Sequence, residues 1–230
     1  MGTKTSLLTG TALGLGLMLS GAAVGLAKTP SLIGGGPWKL LKVKGKDVTR
    51  FAIVKDREMR VDAKGAVGFL YRQVSDLSEE KLTLRWRWRI DRQIPATDQA
   101  RKGGDDRAIA VHLWFDDDKS GSLFGRLGSL LGYPRVGHLV TYVWGGVRDP
   151  DSVLPNPYYD KGAIIIVRNG AAAENGSWRS EKRDVADDYA RAFGRMPDLS
   201  KLRYIAISAD TDDTGTESSA RVADVTLRAM

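Results

Sequence analysis

Between its turn signals the chain alternates apolar and polar residues with a period of two more often than it follows the 3.6-residue period of a helix. The clearest stretch is 82–90, where Leu82, Leu84, Trp86, Trp88 and Ile90 fall on one face and Thr83, Arg85, Arg87 and Arg89 on the other. Successive side chains of a strand point to opposite faces, so this segment predicts a strand with a core face and a cationic face. Trp86 and Trp88 are therefore read as core. The same pattern predicts strands at 51–55, 59–62, 67–72, 108–115, 139–144, 163–168, 204–209 and 221–228, about nine in all.

One helix is predicted, at 184–194: Asp184 is suited to the N-cap, Asp187 and Asp188 favour the positive end of the helix dipole, and Gly194 stops it. Tyr189 and Phe193, four apart, are expected to pack together. Many short strands with Gly, Asp and Pro punctuation and one short helix predict a mainly β fold, a two-layer antiparallel sandwich of jelly-roll type. The segment 116–137 is the long exception, with three consecutive aspartates, several glycines and five Leu or Phe residues, and is expected to form a lid-like insertion or a short helix. No internal repeat stands out.

The N-terminus changes the picture of where this domain works. Lys4 precedes an apolar core at 7–19 that Gly10, Gly14 and Gly16 interrupt, and Gly25 and Ala27 stand at minus three and minus one of a small-residue cleavage site. Residues 1–27 are read as a cleaved signal peptide, which leaves a single domain at 28–230 with no Pro/Ser-rich linker and no transmembrane segment, in the periplasm or outside the cell. A domain of this size buries enough apolar surface to dispense with disulfides, consistent with the absence of cysteine. No cysteine and only two histidines, His112 and His138, exclude thiolate nucleophiles, iron–sulfur clusters and three-histidine metal sites. The net charge of +7 falls to +6 with the leader and is open to two readings, ordinary solubility charge or attraction to acidic partners; with export the latter are an anionic envelope or extracellular polysaccharide, lipopolysaccharide or lipid headgroups, and not nucleic acid.

Candidate chemistry gathers on aspartates. Asp210, Asp212 and Asp213 place hard oxygen ligands before Gly215, a pattern open to three readings: a capped turn, an optional structural calcium, or a ligand site. The glutamate that an EF-hand places at its twelfth position is absent. Asp98, Asp105 and Asp106 lie in a glycine-rich charged loop before a strand; they either pair with neighbours, Asp106 with Arg85, Arg87 or Arg89, or supply an acid for glycosidic chemistry. Candidate ligand-binding residues are thus Asp98, Asp105, Asp106, Arg87 from the cationic stripe, Asp184, and Trp144, whose indole precedes Gly145-Gly146 and either packs in the core or hinge or stacks on a sugar at a rim. His112, in mid-strand, is read as a hydrogen-bonded sheet histidine, since no Gly-x-Ser-x-Gly elbow accompanies it.

The runs Trp86-Arg87-Trp88-Arg89-Ile90, Gly104-Asp105-Asp106-Arg107-Ala108, 178–184 (WRSEKRD), Asp188-Tyr189 with Phe193-Gly194, and 210–215 (DTDDTG) resemble an exported bacterial family, domain of unknown function 3047, over about residues 38–228. That family most often shows Asp-Asn-Thr-Gly in the last motif, where this chain has Asp213 in place of the Asn. The resemblance implies an exported domain and no catalytic residues. The closing strand at 220–227 (ARVADVTL) is also similar to the last strand of jelly-roll carbohydrate-binding modules. Two functional classes follow: a non-catalytic module for a glycan or anionic ligand, which needs fewer assumptions and no cofactor, and an envelope hydrolase using paired aspartates.

Overall fold

The computed structural model describes residues 1–2, 31–55, 57–74, 81–116, 134, 136–168, 170 and 176–229. The body of the expected leader, and most of the expected lid-like insertion, lie outside these residues. Twelve strands are present among the described residues: β1 Lys39–Lys42, β2 Arg50–Lys55, β3 Glu58–Lys64, β4 Val67–Gln73, β5 Leu82–Arg92, β6 Arg107–Phe115, β7 His138–Trp144, β8 Val153–Pro155, β9 Gly162–Arg168, β10 Arg179–Asp184, β11 Leu202–Asp210 and β12 Glu217–Ala229. One α-helix, α1 Val185–Phe193, follows β10, and a 3₁₀ turn Leu199–Lys201 precedes β11.

The strands form two sheets, one of seven in the order β1-β4-β11-β6-β7-β9-β8 and one of five in the order β10-β5-β12-β3-β2. This is the two-layer sandwich that the alternation predicts. Pairing between named strands is antiparallel except between β7 and β9, which run parallel. Each predicted strand has its counterpart. The three unpredicted ones lack the signal used to find them: β10 (RSEKRD) contains no apolar residue and is held by pairing with β5, while β1 and β8 are short edge strands.

The core lies between the sheets. Trp86, Trp88 and Ile90 of β5 and Met59 and Val61 of β3 meet Val111 and Leu113 of β6 and Tyr142 and Trp144 of β7. The rings interlock: Trp86 and Trp88 are edge to face at 5.2 Å, and Trp144 lies 5.6 Å from Trp88. The Trp88 indole N–H donates to Glu181 at 2.9 Å, and Glu181 also accepts from Arg168 at 2.6 Å, so a polar atom at the core edge is satisfied. Arg85, on the opposite face of β5, is exposed.

Strand β12 contains one device that the period of two does not carry through. Between Ala223 and Thr226 its register against β5 slips by one residue, and Asp224 adopts a left-handed backbone with φ 52°. The bulge switches the core face from Val222 to Val225. Asp224 is thereby placed away from the core, where it accepts from Arg57 and, at 2.7 Å, from Arg87.

Helix α1 starts as expected. The Asp184 side chain accepts from the backbone N–H groups of Ala186 at 2.9 Å and Asp187 at 3.1 Å, and Gly194 ends the helix with φ 68°. Tyr189 and Phe193 pack with ring centroids 4.6 Å apart.

Two outcomes test this account. Trp88→Ala should cost about 3–5 kcal/mol in denaturant unfolding, whereas Arg85→Ala, on the other face of the same strand, should stay within about 0.5 kcal/mol. Asp184→Ala should lower stability by about 1 kcal/mol through loss of the cap, and Asp184→Asn should restore most of it.

Candidate functional site

Strand β6 is buried along its whole length, on both faces. Its residues Ile109, Val111 and Leu113 enter the core between the sheets, while Ala110, His112 and Trp114 face the other way. A second covered region therefore exists over the outer face of the seven-stranded sheet. There a cavity of about 350 Å³ is floored by Phe69, His112, Trp114, Leu139, Thr141 and Ile164. Its walls come from the β1–β2 connection (Val43, Lys46), the β8–β9 connection (Asn156, Tyr158, Tyr159), Asp105 before β6, and the β11–β12 turn (Asp212, Asp213).

Register orders these residues along the face. Asp210 of β11 pairs with Arg107 of β6 and with Val67 of β4, and Tyr204 pairs with Trp114, which itself pairs with Leu139. Acids therefore stand at one end of the face and Trp114 at the other, roughly 20 Å apart at a strand rise of about 3.3 Å per residue. Tyr158 belongs to the acid end, its hydroxyl accepting from Gly103 N–H at 2.8 Å. Tyr159 belongs to the Trp114 end, with its hydroxyl 2.7 Å from the carbonyl oxygens of Val136 and Gly137.

The acid end is held from behind. Asp106 is 0 % exposed, and its carboxyl accepts from Thr214 N–H at 2.8 Å, Thr214 Oγ1 at 2.6 Å and Asp213 N–H at 3.3 Å. Arg107 reaches Asp105 at 3.2 Å and Asp210 at 3.4 Å, and Lys46 pairs with Asp212. Burial pushes the Asp210 carboxyl up to about 9, against the pull of Arg107 and with help from the hydrogen bond to Asp212 and the charge of Asp105. Burial also works against ionisation of Asp212, but hydrogen bonds with Asp210 and Lys46 overcome it and hold that group below the usual carboxylate range. Asp210 is thus the proton-bearing partner of an ionised Asp212. Asp213 is raised by partial burial and by the neighbouring charges of Asp212, Asp105 and Asp106.

His112 is fully buried, with Nδ1 3.0 Å from Thr141 Oγ1 and Nε2 2.8 Å from Ser208 Oγ. Burial, and then the charge of Arg107, hold it well below the usual imidazole range, so it is neutral. Ser208 is 0 % exposed, which leaves no route for substrate to its hydroxyl. The group is a satisfied sheet histidine.

The structure separates the residues that the sequence proposed as ligand-binding. Asp105 lines the cavity. Asp106 lies behind it and binds the β11–β12 turn, not Arg85, Arg87 or Arg89. Asp98 stands apart, accepting from Ala100 N–H and pairing with Arg148 at 3.0 Å. Arg87 is on the outer face of the five-stranded sheet, on the far side of the sandwich; its charge meets Asp224 and its guanidinium lies 4.5 Å from the Trp178 ring. Trp144 is 1 % exposed and belongs to the core, because β7 turns Tyr142 and Trp144 inward before the glycines redirect the chain. Asp184 is engaged as the helix cap.

Of the three proposed metal ligands, Asp210 and Asp212 converge with Asp106, each offering an oxygen within 4.8 Å of the others, while Asp213 is not in that group. Such a donor set suits a hard cation. Two of the three carboxyls already face a cation of the chain, and the third accepts three hydrogen bonds.

Phe69, Trp114, Tyr158, Tyr159, Asn156, Lys46 and Arg107 were not singled out from sequence as site residues. Two signals bear on them. The run RAIAVHLWF of β6 lacks a polar face, which marks a strand covered on both sides. Tyr158-Tyr159 puts two aromatic rings in a connection, where binding groups collect.

Comparison with known proteins gives fold-level likenesses at low identity. A CBM4 carbohydrate-binding module is 10 % identical with a TM-score of 0.40, over 84 % of this chain and 86 % of that one. The xyloglucanase domain of NopAA, a type three effector from Sinorhizobium fredii solved with cellobiose, is 9 % identical with a TM-score of 0.45, over 85 % and 99 %. The K1 cleaved adhesin domain of Lys-gingipain from Porphyromonas gingivalis is 9 % identical with a TM-score of 0.36, over 87 % and 96 %. All lie below a TM-score of 0.5, so the site is read from this chain's own residues. No curated protein matches the sequence. A family model described as "Protein of unknown function (DUF3047)" matches residues 36–226, and the chain belongs to that family.

Proposed function

We propose that this protein is a non-catalytic glycan-binding module, exported to the periplasm or beyond, that seats a short stretch of sugar in the cavity over its seven-stranded sheet. The observation that carries this reading is the mixed lining of an elongated cavity. The exposed Tyr158 ring at the acid end offers an apolar face for stacking, the floor beyond it is apolar with Trp114 buried at the far end, and Asp105, Asp210, Asp212 and Asn156 offer fixed polar groups for hydroxyls. The Asp210–Asp212 pair, its proton engaged between the two, presents acceptor oxygens to sugar hydroxyls. The leader-like N-terminus supports the assignment outside the cytoplasm.

The cavity lining also bears on the charge of the ligand. Its lining carries four carboxyl groups, of Asp105, Asp210, Asp212 and Asp213, against the two cations Lys46 and Arg107. The basic excess of the whole chain is located elsewhere, and this site favours a ligand that is not anionic. A resident calcium is no part of the reading.

One observation favours hydrolysis instead: the ionisation of Asp210 and Asp212 is driven apart, as in an acid and base pair. Their spacing opposes it. Glycoside cleavage uses carboxyls about 5–5.5 Å or 6.5–9.5 Å apart, whereas these two are hydrogen-bonded and share an oxygen cluster within 4.8 Å.

In calorimetric titration against a panel of neutral and amino oligosaccharides, Tyr158→Ala should weaken binding roughly fivefold, from the loss of about 1 kcal/mol of ring contact. Its melting temperature should be unchanged, since Tyr158 is 57 % exposed. Wild-type protein that binds no oligosaccharide would defeat the glycan reading, and release of new reducing ends, lost in Asp212→Asn, would establish the hydrolase.

The Asp210 carboxyl gives a pH signature. Its folded value of about 9 exceeds the unfolded value of about 3.9, so the folded state holds an extra proton between them. The associated stability is complete below about pH 4 and lost as pH rises toward 9. Asp210→Asn should remove this component, so the gap in melting temperature between variant and wild type should shift in the variant's favour from pH 5 to pH 9.

A further inference from the structure

The acid end of the cavity holds more negative charge than its own cations answer. Asp213 lines it, is exposed, and feels Lys46 more weakly than it feels its acidic neighbours Asp212, Asp105 and Asp106. Asp210 lines it too, is 6 % exposed, and its Oδ1 is buried without a hydrogen-bond partner. That orphaned acceptor is independent of the charge count, and it calls for a donor. A ring stands beside them: Tyr158, whose face already receives an ammonium, Lys102 Nζ, at 5.8 Å from the ring centroid.

Carboxyl oxygens of Asp212 and Asp213, and the open acceptor oxygen of the proton-bearing Asp210, next to an aromatic face describe the recognition of an ammonium group, which has three donors and no acceptor. The two lysines that reach this end are exposed side chains, Lys46 being 44 % exposed. Surface pairs of this kind contribute little and are readily displaced. An incoming amine could take their place while its sugar ring extends along the sheet toward Trp114.

We propose that the glycan bound here is an amino sugar with a free, protonated amine, its ammonium seated among Asp210, Asp212, Asp213 and the Tyr158 ring. This rests on the glycan reading given above. A neutral N-acetylated sugar would leave the carboxylates unanswered, and an anionic sugar would add to their repulsion.

The test titrates the full mature chain with β-1,4 glucosamine oligomers and with N-acetylglucosamine oligomers of equal length, near pH 6 where the amine is charged. The glucosamine series should bind at least about tenfold more tightly, with the advantage shrinking as salt is raised to about 1 M. Asp213→Asn, on an exposed turn, should cut that advantage at least about threefold while leaving the melting temperature unchanged. Equal affinity for both series, or preference for the acetylated one, would overturn the amine assignment and leave the glycan reading intact. Binding of neither series, or of other sugars, by folded wild-type protein would overturn both.

Discussion

A carboxyl group sealed from water must find its donors inside the protein, and Asp106 finds three of them on one turn. Thr214 contributes its backbone N–H and its hydroxyl, and Asp213 its N–H, so the start of β6 is tied to the β11–β12 turn across more than a hundred residues of sequence. Thr211 adds a second tie, its N–H donating to the Ala66 carbonyl at 3.0 Å and its hydroxyl accepting from Ala66 N–H at 3.1 Å. Asp210 and Asp212 sit within the segment so fixed. The position of the carboxyl pair against Arg107 and the cavity is therefore set by a contact behind the cavity, before any ligand arrives.

The two sheets use their outer faces differently. On the five-stranded sheet the outer face is wet, and its arginines pair with local acids: Arg87 with Asp224, Arg89 with Asp91, and Arg221 with both Asp91 and Glu58. On the seven-stranded sheet the outer face is covered, small residues such as Ala110 and Ala206 leave depth, and aromatic rings border it. Basic charge thus collects on the side that needs solvation, and acidic charge collects where a ligand can enter. A field that is positive over the chain as a whole coexists with a negative one at the site, and the local one governs recognition.

The same carboxyl pair separates binding from cleavage. Two acids close enough to share a proton present acceptor oxygens to hydroxyl or ammonium groups, but they lack the room in which a sugar or a water stands between acid and nucleophile. Much of the site lies on the strands β4, β6, β7 and β9, whose rigidity suits preformed recognition.

How much of this was legible in advance depends on which distances matter. Along a strand, neighbours fix which side chains share a face, so Leu84, Trp86 and Trp88 announced the core, and Asp184, Gly194 and the Tyr189–Phe193 spacing announced the helix. The bulge at Asp224 also leaves a trace, since apolar positions move from Ala220 and Val222 to Val225 and Leu227. Trp144 stayed open between core and rim because an indole before two glycines has the same local pattern whether the strand turns it inward or outward. Asp106 was expected to pair with Arg85, Arg87 or Arg89, whereas its partners are two backbone N–H groups and a hydroxyl brought by another turn. The sequence by itself determined the alternation, the sandwich and the helix, because these follow from contacts a few residues apart. Only the tertiary structure decided that Asp105, Asp210, Asp212, Trp114 and Tyr158 line one cavity while Arg87 lies on the far side, because strand order and register, and not spacing along the chain, set those distances.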